Sequence, residues 1–378
     1  MSTETGSAGV KRRDFLKIVG ATGAATTLVG CTSEKVGKLI PYVVNPDQTV
    51  PGVSNYYATI SRTTLEPVGL LAEVRDGRVI KLEGNPNHPG NRGAINARAL
   101  SAVQGLYNPD RWRAPMIREG TQLKPTTWDK ALARLAQELG AVRSRGGAAN
   151  AAFINQHELG SFPAFLDQWL ANYGMPAHLA VDAEVPLATL AAHRAAYGAA
   201  WPRFDFTAAR LIVSFSADFL DNWGHHHQQQ LDWADARAKL EGAPRMVYVG
   251  PRRSLTGLNA DEWLPARPGT ELVVANFLRG QLPAAQAAEQ TGIKQAQLEQ
   301  LAQQVTAAGA GLLAIAGSSA ANAQELAAAA AALNQQAGAV GRTVRADQAI
   351  RAYDRLNSFA DLRALVERMN AGAVPLLM

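Results

Sequence analysis

Four short apolar segments restrict what this chain can fold into: Ala151-Ala152-Phe153-Ile154, Leu211-Ile212-Val213-Ser214-Phe215, Met246-Val247-Tyr248-Val249 and Leu312-Leu313-Ala314-Ile315-Ala316. Strands that are apolar on both faces must be covered on both faces, and parallel neighbours need a crossover long enough to hold a helix. The stretches between these segments have that length. The pattern therefore predicts parallel sheet with βαβ connections. Gln324 to Gln336 is Ala-rich and follows both a strand and Gly317-Ser318-Ser319, which makes it a crossover helix rather than low complexity. Asp361 to Gly372 reads as another helix, and Val374-Pro375-Leu376-Leu377-Met378 as the start of a further strand.

Residues 42–120 have a different texture, dense in Gly, Pro and Asn. Leu70-Leu71-Ala72-Glu73-Val74 and Arg78-Val79-Ile80-Lys81-Leu82 flank Asp76-Gly77, a strong hairpin signal. Gly84 to Gly90 is a run of turn formers, and Asn108-Pro109-Asp110-Arg111-Trp112 is another. Thr127-Trp128-Asp129 then opens an amphipathic helix reaching about Val142, with Thr127 as N-cap and no Glu at the capping-box position. The expected organisation is a signal at 1–31, a β-rich domain at 32–120 and an α/β region at 121–378.

The signal rests on residue order. Lys11-Arg12-Arg13-Asp14-Phe15-Leu16-Lys17 precedes an uncharged Gly/Ala/Thr-rich stretch from Ile18 to Gly30, too short to span a bilayer. Arg12 and Arg13 resemble the twin-arginine export motif, and Leu28-Val29-Gly30-Cys31 resembles a lipobox with Cys31 as the lipid attachment point. The expectation is export, with a lipid anchor at the outer face of the cytoplasmic membrane or in the periplasm.

Composition adds exclusions. A single cysteine permits no intrachain disulfide and no cysteine-ligated zinc or iron–sulfur site within the chain. The net charge of +5 is carried by scattered arginines without aromatic interleaving, so no nucleic-acid partner is expected. His225-His226-His227 is expected to be a polar helix start or loop surface, because consecutive helical side chains diverge by about 100° instead of converging on one metal, with an adventitious metal site as the alternative. No nucleophile elbow or Ser/His/Asp arrangement is legible near Asp218, Asp221 and Asp232.

Several segments together resemble the molybdopterin oxidoreductase family. They are Gly69 to Val79, Leu82-Glu83-Gly84-Asn85-Pro86, Asn91-Arg92-Gly93, Leu106 to Arg111, Thr127-Trp128-Asp129 and Asn259 to Glu271. The family resemblance implies a small β-rich domain followed by doubly wound α/β domains, with the chain ending inside an incomplete α/β region. It also implies an iron–sulfur cluster held by four cysteines, at positions that correspond here to Ser61, Thr64, Val68 and Asn96. None of these is a soft ligand, so no cluster is expected in this part. Arg98 stands where the family usually has a lysine between cluster and pterin.

The resemblance further assigns pterin-dinucleotide positions to Asp218, Arg252, Asp261, Arg267 and Glu271, here expected to be vestigial. Ser216 stands for a glycine and Gly250 for an acidic residue, and Asp182 is the only residue near the family's metal-ligand loop with a suitable side chain. Molybdopterin is accordingly not expected. Ile40-Pro41-Tyr42-Val43, Pro51-Gly52-Val53 and Tyr56-Tyr57-Ala58-Thr59 are similar to the large subunits of alternative complex III, a quinol-oxidising respiratory assembly. That branch implies a non-catalytic scaffold portion. Its implied partners are integral membrane quinol-binding subunits, a multihaem cytochrome c and iron–sulfur subunits, with clusters in a C-terminal part or partner. The alternative is a molybdopterin-dependent oxidoreductase with a divergent first domain.

Overall fold

The computed structural model describes residues 49–62 and 66–378. Arg12, Arg13, Cys31 and Thr64 lie outside the described residues. The chain divides into two compact units, one holding residues 49–57 and Glu73–Ile80, the other Ala58–Ala72 and Lys81–Met378. Within the first, Ser54 Oγ donates to Glu73 Oε1 at 2.6 Å, and the Gly52 amide to Asp76 Oδ1 at 3.1 Å. All that follows, the strand assignments and the turn at Asp76-Gly77 apart, concerns the second.

Asn55–Ser61 (β1), Val68–Arg75 (β2) and Arg78–Gly84 (β3) pair in the order β1-β2-β3. Asp76 and Gly77 make the expected tight turn with φ of 49° and 75°, the paired positive values a two-residue hairpin loop requires. Met116–Glu119 (β4) and Gln122–Pro125 (β5) form an antiparallel hairpin. Thr127 caps the helix Trp128–Ser144 as the sequence suggests. Ile154–Gln156 (β6) and Leu179–Val181 (β7) pair in parallel, and Arg203–Phe204 (β8) precedes the main sheet.

That sheet contains Leu211–Phe215 (β9), Arg245–Gly250 (β10), Glu262–Pro265 (β11) and Leu312–Ala316 (β12), all parallel in the order β11-β10-β9-β12. Val344–Arg345 (β13) returns antiparallel to β8. Alternation along the strands sorts side chains into two cores. Leu211, Val213, Phe215, Val249 and Ala314 meet the helices Glu271–Leu278 and Ala323–Gln336 on one face. Ile212, Met246, Leu313 and Ile315 meet an aromatic layer of Trp201, Phe204, Phe206, Trp223 and Tyr353 on the other. This is the α/β fold expected from the apolar segments.

Two strand boundaries differ from expectation. The first apolar segment pairs three residues late, at Ile154–Gln156, because the Ala151 amide closes a 3-10 turn onto Ala148 O instead of entering the ladder. Ala152 bridges Leu377 in parallel, and the hydrogen bonds Ala152 N to Leu376 O, Met378 N to Ala152 O and Ile154 N to Met378 O run the end of 374–378 alongside this segment. The edge strand β11 lies where the sequence suggests only loop: Leu264 is buried while Glu262 and Pro265 disguise the alternation, and proline is tolerated on an edge. Among the described residues no helix is long and apolar enough to cross a membrane.

Candidate functional site

β9, β10 and β11 succeed one another to one side, whereas β12 lies on the other side of β9. The order reverses between β9 and β12, and in open α/β sheets ligands bind beyond the strand ends at such a switch point. A cleft of about 490 Å³ lies there, lined by residues including Asn96, Arg98, Glu184, Trp223, His226 and Gly317. Gly317, just past β12, is closely approached: a Cβ on it would stand 2.6 Å from both Ala217 Cα and Trp223 Cδ1.

The turn after β9 explains several candidate residues. Ser216 adopts φ 55°, the left-handed conformation that glycine enters without steric cost. Its hydroxyl donates to Glu271 Oε1 at 2.7 Å, and Glu271 is buried in the first turn of its helix. A Cβ on Gly250 would lie 2.6 Å from Ser216 Oγ, so an acidic side chain at 250 does not fit beside Ser216 as it stands. Asp218 Oδ1 accepts from the Thr256 amide at 2.9 Å, and Arg252 Nη2 lies 3.8 Å from Asp218 Oδ2.

Asp261 accepts from the Met246 amide at 2.7 Å and from both Arg237 terminal nitrogens. Arg267 donates to the carbonyls of Glu289 and Gln290. Each of the five dinucleotide positions thus has a partner inside the chain. Arg98 donates to both carboxylate oxygens of Glu184 at 2.9 Å, and Asp182 accepts from Gln156 Nε2 and from the Glu184 amide.

The described cluster positions carry no thiolate. Ser61 is buried at the end of β1, Val68 is fully buried at the start of β2, and Asn96 caps the helix Ala97–Leu106 by accepting from the Ala99 amide at 2.7 Å. Serine, valine and asparagine in these roles do not fit a thiolate-held cluster.

Beside them lies a group that the sequence does not announce. Glu66, 4% exposed, accepts from the His227 backbone amide at 2.6 Å and from His227 Nδ1. His225 Nδ1 and His226 Nδ1 lie 3.7 and 3.8 Å from its oxygens, and Asn96 Nδ2 lies 3.3 Å from His226 Nε2. Burial works to raise the Glu66 carboxyl, but the His227 hydrogen bond and the three imidazoles outweigh it and hold it below its ordinary value. Burial pushes His225 down to about 4 and also lowers His226, against the pull of Glu66. His157 stacks on Tyr353 with ring centroids 4.9 Å apart, and His225 meets the same ring edge-on.

The histidine tract starts the helix His226–Arg237, as expected, but it is not surface: His226 is 7% and His227 2% exposed. The first turn of this helix is covered by the segment carrying Glu66 and by Tyr353, so polarity of the letters misled. The tract itself was the visible signal. Glu66 had none beyond its place between two cluster positions.

The profile of the family described as molybdopterin oxidoreductase matches residues 111–373. The chain belongs to the molybdopterin oxidoreductase family. It is 28% identical over 270 residues to the menaquinone reductase molybdopterin-binding-like subunit of Nitratidesulfovibrio vulgaris, covering 70% of this chain and 38% of that protein. It is 25% identical over 274 residues to the thiosulfate reductase molybdopterin-containing subunit of Salmonella typhimurium, covering 70% and 34%. The chain therefore spans well under half the length of these relatives. Among solved structures, acetylene hydratase from Pelobacter acetylenicus superposes with a TM-score of 0.55 at 16% identity, over 78% of this chain and 44% of that one, a likeness of fold. The cleft lies at the switch point, where open α/β sheets bind ligands in general.

Proposed function

We propose that this chain is the non-catalytic, molybdopterin-oxidoreductase-like portion of a membrane-associated respiratory complex that oxidises quinol, of the alternative complex III kind. The observation that carries the reading is the side-chain set at the family's cluster positions: Ser61, Val68 and Asn96 pack or cap and offer no thiolate. Without that cluster, a pterin in the cleft has no neighbouring electron carrier within this part of the chain. The internal partners of Asp218, Arg252, Asp261, Arg267 and Glu271 support the same reading, since those groups serve packing and loop closure. So does the likeness to a relative named molybdopterin-binding-like and assigned to a menaquinone reductase.

In this reading the chain is exported by the twin-arginine route through Arg12 and Arg13, anchored by lipid at Cys31, and docked on integral membrane quinol-binding subunits, a multihaem cytochrome c and iron–sulfur subunits. Clusters then reside in a C-terminal part or partner. The competing reading, a pterin-dependent oxidoreductase, draws on the cleft of about 490 Å³ at the switch point. Molybdenum, tungsten and pterin analysis of the protein purified from its native membrane separates the two. The scaffold reading expects none of the three, together with co-purifying haem and membrane subunits; one pterin per chain defeats it.

A further inference from the structure

We propose that Glu66, His226 and His227 form a binding site for a divalent transition-metal ion, with zinc the ion that their donors suit best. One carboxylate oxygen and one ring nitrogen from each histidine lie within 4.8 Å of one another, and all three residues are buried. Tetrahedral zinc has bonds of about 2.0–2.1 Å to nitrogen and oxygen, which sets neighbouring ligands about 3.3 Å apart. Closing from the observed spacing takes movements of about an ångström, within reach of side-chain rotation.

Adjacent histidines on a regular helix diverge, so the local geometry matters. His225, with φ −82° and ψ 70°, lies before the helix, and His226 and His227 are its first two residues. Their rings are 4.5 Å apart between centroids and tilted by 33°, so they face one carboxylate together. Among the described residues, His227 Nε2 is buried without a hydrogen-bond partner, as are His225 Nε2 and His157 Nε2 nearby. Asn96, whose own oxygen is fixed by the Ala99 amide, holds the outer nitrogen of His226, as a supporting residue holds a metal-bound imidazole.

Two imidazoles and a carboxylate favour zinc and its first-row neighbours over calcium or magnesium, which prefer oxygen shells. A fourth ligand is left to water. The ion would tie the segment before β2 to the helix His226–Arg237, close to where relatives in the family hold a cluster. The site stands on its own geometry and holds equally for a scaffold or a pterin enzyme.

The test uses the whole chain, stripped with chelator and titrated with zinc chloride by calorimetry, with cobalt(II) absorption as a spectroscopic check. One equivalent is expected to bind, to raise the melting temperature, and to give the visible bands of a tetrahedral cobalt complex. E66Q and H226N are each expected to weaken zinc at least tenfold while H157N leaves it unchanged, and far-UV circular dichroism without metal verifies folding. If E66Q does not fold, H226N decides. A folded wild type that takes up no stoichiometric zinc, or a folded variant lacking Glu66 or His226 that binds it as well as wild type, overturns the site.

Discussion

Ser216 holds the buried carboxylate of Glu271 through a 2.7 Å hydrogen bond, and does so from a backbone φ of 55°. Two opposing effects meet at this residue. A side chain in the left-handed region costs about 1–2 kcal/mol, whereas an orphaned buried acceptor costs about 1–3 kcal/mol. Ser216→Ala keeps the strain and loses the bond, and is expected to destabilise by about 1–3 kcal/mol. Ser216→Gly relieves the strain and is expected to lose about 1 kcal/mol less than the alanine variant. Urea unfolding of the pair measures the difference, and an alanine variant as stable as the glycine one contradicts it.

Asn334 lies fully buried on the helix Ala323–Gln336 and completes edge strand β12, accepting from the Ala314 amide and donating to the Ala314 carbonyl, both at 2.8 Å. A leucine there leaves both backbone groups buried without partners. Asn334→Leu is expected to cost roughly 2–4 kcal/mol in chemical unfolding. A loss below half a kcal/mol counts against this role.

His193 is fully enclosed by Tyr197, Trp201 and Phe204, and burial pushes its pKa down to about 4. In the unfolded chain it titrates near its ordinary value of about 6.5. Between these values the unfolded state takes up a proton that the native state refuses. Stability is therefore full above about pH 6.5 and falls as pH drops toward 4, by roughly 3 kcal/mol from this residue. Unfolding free energies from pH 7 to 4 test it: His193→Leu is expected to flatten the slope by up to one proton.

Arg98 and Glu184 face each other across cleft-lining positions, yet both side chains are more than half exposed. Solvent and salt screen such a pair, so a double-mutant cycle is expected to give a coupling below about 1 kcal/mol that shrinks with added salt. A coupling of several kcal/mol requires the pair to be far less hydrated than its exposure indicates.

The sheet was legible because β9, β10 and β12 are apolar on both faces, a pattern with few other uses. β11 was not, because its Glu262 and Pro265 belong to an edge where a polar letter carries no penalty. Ser61, Val68 and Asn96 could be placed from spacing within a resemblance, and Ser216, read there as standing for a glycine, has the positive φ that glycine adopts without steric cost. The Glu66 group was illegible for a different reason. Its carboxylate comes from a segment 161 residues before His227, and the sequence pattern carries no record of a contact that long. The histidines were visible as letters, but a regular-helix argument cannot foresee a first turn roofed by Tyr353 and His157.

Gly317 gives the cleft a simple control. Its missing methyl group is all that separates β12's end from Ala217 and Trp223, so the distance between two strand-end turns is set by a hydrogen atom. A side chain at residue 317 would therefore force the Ala217 backbone or the Trp223 ring to shift at the wall of the cleft.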